Sequence, residues 1–68
     1  MIAEQLLNMD AYMLLSIINM KLRNEFNNFL LFCDDVNINP ETLSLKLGEI
    51  GYTYHEEINQ FVFEKEKL

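Results

Sequence analysis

Two clusters of chemically capable side chains stand in the sequence: Cys33 with Asp34 and Asp35, and His55 with Glu56 and Glu57. A thiolate is a nucleophile or a soft-metal ligand, and an imidazole beside carboxylates is the usual material of a general base or a metal site. The spacing argues against both uses. Residues at i and i+1 do not face one another on a helix, so Asp34 and Asp35 make neither an acid/base pair nor a closed cation cage. His55, the only histidine, opens the polar stretch HEEIN and reads as a solvated residue at a turn. No base lies near Cys33 in the sequence to lower its pKa. With only Gly48 and Gly51, the chain has no glycine-rich phosphate loop. The reading is therefore non-enzymatic, with no catalytic residue, no metal ligand and no cofactor.

A different constellation carries more information. CDDVNINPETLSLKL, residues 33–47, has the order of roles of a helix-turn-helix: a small residue inside the first helix, Cys33, then a residue tolerant of positive φ, Asn37, then apolar Ile38 and the cap Asn39. Val36, Leu43 and Leu47 are the flanking apolar positions. Such a unit often reads DNA, and Thr42, Ser44 and Lys46 would be the reading residues. Charge argues otherwise. The chain carries a net charge of -6 and five Lys plus Arg in all, whereas a DNA-binding module neutralises phosphates at on the order of 6 to 10 positions. Lys21 and Arg23 lie on the long first helix, Lys65 and Lys67 sit among glutamates in the tail, and Lys46 has Glu41 and Glu49 nearby. A DNA-binding transcriptional regulator is thus the alternative reading, and a protein-docking scaffold the preferred one.

The elements that position these residues follow from local signals. Asp10 is an N-cap for a helix running through MLLSIINMKLRNEF, with Leu15, Ile18, Leu22 and Phe26 as its buried stripe. Ser16, Asn19 and Arg23 would form the polar face. Met13, Ile17 and Met20 make a second apolar stripe more than 90° from the first, too wide an arc for one small core. Either Ile2, Leu6 and Leu7 fold back over it, or it is the seam of a homodimer, which the adaptability of Met and the meaning of exposed apolar patches favour. Asn27 and Asn28 can cap a second helix, FLLFCDD, burying Phe29, Phe32 and Cys33. Asn39 and Pro40 open a third, burying Leu43, Leu47 and Ile50, and Gly48 or Gly51 supplies the left-handed residue that ends it. After Tyr52 the period shortens: YTY and QFVF read as a hairpin with its tip at Glu56 to Asn59, placing Tyr52, Tyr54, Phe61 and Phe63 on one side.

The expected fold is mainly α with a small β-hairpin, a three-helix helix-turn-helix core plus a C-terminal two-stranded wing. One domain covers residues 1–68, with 1–9 as an N-terminal extension and 64–68 as a frayed tail. A 68-residue core is small, and a lone cysteine closes no internal disulfide, which leaves oligomerisation as the available source of extra stability. Half of the residues are hydrophobic, against disorder. Glu4 and Asp10 stand where a secretory leader needs basic residues, and the apolar stretch Tyr12 to Met20 is roughly half a bilayer crossing. A cytoplasmic location and no membrane contact are therefore expected.

MLLSIINMKLR at 13–23, the region of Leu31, Cys33 and Asp34, LSLKLGEIGYTY at 43–54 and NQFV at 59–62 together resemble a family of short bacterial proteins catalogued as a domain of unknown function, number four-two-five-zero in its series. GY-x-Y followed by NQF is the distinctive part. Where members have a Pro near the start of the first long helix, this sequence has Ala11, and residues 1–5 look like an extension. The resemblance implies a common, winged helix-turn-helix-like fold and a bacterial or phage-like origin, and transfers no active site. Asn59 and Gln60 are either turn-stabilising or part of a recognition surface, the former being favoured because Asn bonds its own backbone readily. The acidic residues Glu41, Glu49, Glu56 and Glu57 would suit a basic protein partner, or an acidic inhibitor that mimics nucleic acid.

Overall fold

The computed structural model describes residues 3–64 as four helices followed by an antiparallel hairpin: α1 (Ala3–Leu7), α2 (Ala11–Asn24), α3 (Phe29–Val36), α4 (Pro40–Gly48), β1 (Tyr52–His55) and β2 (Gln60–Phe63). The expected helices are α2, α3 and α4. A fourth helix lies within the stretch read as an extension: α1 sends Leu6 into the core, fully buried. Ile2 and the tail lysines Lys65 and Lys67 lie outside the described residues.

Caps set the helix starts. Asp10 accepts hydrogen bonds from the backbone N–H groups of Tyr12 and Met13, both at 3.1 Å. Asn28 accepts from Leu31 at 2.9 Å and Asn39 from Glu41 at 2.8 Å, with Pro40 in the first turn of α4, where its missing N–H costs nothing. Between α3 and α4 the chain turns on Asn37 at φ 65°, the left-handed residue that the spacing from Cys33 predicts. The N–H of Ile38 bonds Cys33 O at 2.9 Å and that of Asn37 bonds Asp34 O at 3.3 Å, so two carbonyls of α3's last turn are satisfied while Ile38 turns into the core.

The core is one cluster built on Leu6, Leu14, Ile18, Leu22, Phe32, Leu43 and Leu47, with Phe29, Cys33, Val36, Ile38 and Phe61 around them. On α2 the fully buried position is Leu14, and the expected Leu15 is only partly buried. These neighbours lie 100° apart on the helix, and both stripes run through Ile18 and Leu22, so periodicity alone does not separate them. Phe26, expected on the same helix, lies beyond its end, half-buried and edge-on to Phe32 at 5.5 Å. In the hairpin Tyr52 pairs with Phe63 and Tyr54 with Phe61, which puts all four aromatics on one face as expected. Phe61 is buried against Phe29 at 5.0 Å, whereas Phe63 remains exposed, its ring lying over Gly51. Of the two glycines, Gly51 is the left-handed one, at φ 89°. No helix among the described residues is long and apolar enough to cross a membrane.

Candidate functional site

The NQF segment and the second tyrosine of GY-x-Y converge on one polar clasp. Asn59, left-handed at φ 52° at the end of the hairpin turn, donates through Nδ2 to Leu22 O, in the last turn of α2, at 3.0 Å and to Phe26 O, just past the helix, at 2.9 Å. Its Oδ1 accepts from the Tyr54 hydroxyl at 2.7 Å, and that hydroxyl oxygen in turn accepts from Phe29 N–H, an orphan donor in the first turn of α3, at 3.2 Å. Gln60 donates from Nε2 to Asn19 O and Asn59 O. Asn19, placed by the sequence reading on a solvent face, is half-buried and grips Phe61 as a strand would: Oδ1 accepts from its N–H at 2.8 Å, and Nδ2 donates to its carbonyl at 3.1 Å. The single signal for Asn19 is its spacing of one residue from Ile18, too little to separate it from solvent-facing Ser16. Tyr54, Asn59 and Gln60 thus fasten the hairpin to α2 and α3, the Tyr54 hydroxyl, both polar atoms of Asn59 and Nε2 of Gln60 being occupied by that work.

The chemical clusters stay apart. Cys33 is buried, and that burial pushes its thiol up to about 11, opposite to what a reactive thiolate needs. His55 closes β1, ahead of the turn tip where the sequence reading placed it, with Nε2 3.0 Å from a Glu64 carboxylate and Nδ1 3.9 Å from Glu57. Among the described residues no group of His, Cys, Asp and Glu is arranged to hold a metal ion.

The surfaces differ sharply in character. On α2, Met13 is 60% and Met20 46% exposed, with Ile17 partly buried between them, although Leu6 of α1 is already inside the core. On α4 the outward residues are Thr42, Ser44 and Leu45, the last 68% exposed, and Lys46 is half-buried. Lys21 bonds Glu25 at 3.0 Å and shares a depression with Asp35. Glu41, Glu49, Glu56 and Glu57 are all exposed. Glu41 and Glu49 lie at opposite ends of α4, roughly 12 Å apart by helical rise, and Glu56 and Glu57 occupy the hairpin turn.

No curated protein and no solved structure matches the chain. A family model does, over residues 8–61. That span runs from just before the Asp10 cap to Phe61 and includes every residue of the clasp. The chain belongs to the family described as Domain of unknown function (DUF4250).

Proposed function

We propose that this chain is a small non-enzymatic protein-interaction module that pairs with a second copy of itself through the Met13, Ile17 and Met20 face of α2. The observation that carries the reading is an apolar stripe, exposed at Met13 and Met20 and partly exposed at Ile17, on a helix whose other face already fills the core. The stripe is close to self-complementary: two antiparallel copies of α2 would set Met13 beside the partner's Met20, with Ile17 near the two-fold axis. The ends match as well, because Asp10 caps one end of α2 and Arg23 lies in its last turn, where Lys21 is already paired with Glu25. Antiparallel pairing brings opposite charges and opposite macrodipole ends together.

A seam confined to one 14-residue helix is small. A seam of that length should bury less than the roughly 1,200 Å² at which stable interfaces begin, so an affinity on the order of tens of micromolar is the expectation. The scaffold is used here as a winged helix-turn-helix-like docking frame, and the charges around α4 favour protein over DNA: Lys46 stands alone there, between Glu41 and Glu49 in sequence, while Lys21 is engaged with Glu25. Sedimentation equilibrium from about 5 µM to 1 mM tests the proposal. The average mass should rise toward that of a dimer for the native chain, and Met20→Glu should hold it at the monomer. A native chain that stays monomeric throughout contradicts the reading.

A further inference from the structure

A second surface, sharing no residue with the α2 seam, follows α3. One depression of about 340 Å³ lies between the start of α3 and the hairpin, bordered by Asn28, Leu30, Tyr54 and Glu56. Another, of about 210 Å³, lies toward the α3–α4 turn and is bordered by Leu30, Asp34 and Asn37. Leu30 lines both, so the two depressions adjoin at its side chain and run as a groove past Leu30 and Asp34, one turn apart on the outer face of α3, to Asn37 at the turn that ends the helix. Its middle is apolar, with Leu30 64% exposed.

The polar borders are of two kinds. Asn28 caps α3 and the Tyr54 hydroxyl is held between Phe29 N–H and Asn59, so these side chains already have partners. The carboxylates of Asp34 and Glu56 pair with no cation among the described residues. Among the described residues no Lys or Arg borders either depression.

We infer that this groove docks a basic amphipathic helix of another protein, an apolar side chain covering Leu30 while flanking Lys or Arg residues meet Asp34 and Glu56. The charge sign selects that occupant: carboxylates on both sides of an apolar strip attract a cationic peptide, and they repel the phosphates of nucleic acid or of an anionic lipid surface. The inference stands whether or not α2 pairs.

The test uses the full chain carrying Met20→Glu, with ¹⁵N labelling, and as probe a synthetic 18-residue helix with Leu at i, i+3, i+4 and i+7 and Lys elsewhere. A scrambled peptide of the same composition is the control. Saturable binding should produce its largest amide shifts at Asn28 to Asp34, Asn37 and Glu56, weaken with added salt, and fall at least tenfold for the scrambled peptide. Leu30→Lys, at an exposed site, should also weaken it at least tenfold with an unchanged far-UV spectrum. Equal binding of the scrambled peptide, shifts centred elsewhere, indifference to Leu30→Lys, or no saturable binding would overturn the inference. So would concentration-dependent shifts at Leu30 without peptide, since a second copy would then occupy the groove.

Discussion

Asn59 makes more side-chain hydrogen bonds than any other residue described. Its amide serves one carbonyl in the last turn of α2, one just past that helix and a tyrosine hydroxyl at once, from a backbone conformation that non-glycine residues adopt rarely. Asn59→Gly keeps the left-handed turn and removes those bonds, leaving the carbonyls of Leu22 and Phe26 without this donor, and should cost about 2–3 kcal/mol. Tyr54→Phe, which removes only the hydroxyl, should cost about 1–2 kcal/mol. Because both sit in one network, the double variant should lose less than the sum of the two by at least about 0.5 kcal/mol. Thermal unfolding followed by circular dichroism measures all three, with a drop of roughly 4–8 °C per kcal/mol in a domain this size. Additive losses would mean that the clasp is not a unit. The sequence announced Asn59 as a turn residue, which it is. Its reach to α2 depends on residues 33 and 37 positions away in the chain, and no local pattern encodes that.

At the scale of elements, the starts of α2, α3 and α4 were legible because Asp10, Asn28 and Asn39 act on N–H groups two or three residues away. The turn at Asn37 was legible for the same reason. What local signals missed depends on packing: which of Leu14 and Leu15 goes inside, whether α1 docks through Leu6, and the role of Asn19 against Phe61. The junction between α4 and the hairpin separates the two glycines by their surroundings. Gly48, the last residue of α4, has open space where a Cβ would stand, so Gly48→Ala should be neutral or stabilise by up to about 1 kcal/mol through helix propensity and a less flexible unfolded chain. Gly51 has φ 89°, and a Cβ there would come within 2.7 Å of the Phe63 ring. The exposed ring can shift away and the backbone cannot, so Gly51→Ala should destabilise by about 1–2 kcal/mol or more. Urea unfolding of both variants checks this, and equal effects would contradict the assignment of the left-handed position.

For the molecule as a whole, a small core, a net charge of -6 and an apolar stripe on α2 exposed at Met13 and Met20 are the features on which the proposed pairing rests. The charge opposes contact with polyanions, and the neutral stripe is where two copies can approach without bringing like charges together. The sharpest consequence is orientation. In an antiparallel pair Met13 of one copy lies beside Met20 of the other, whereas two Met13 positions are about 10 Å apart along the axis, beyond the span of a disulfide. The deciding measurement is disulfide formation under mild oxidation in Met13→Cys alone, Met20→Cys alone and an equimolar mixture of the two, with the buried Cys33 as a common background. Pairing through α2 predicts a covalent dimer in the mixture and little in either variant by itself. Equal dimer formation by the separate variants, or none in the mixture, would contradict it.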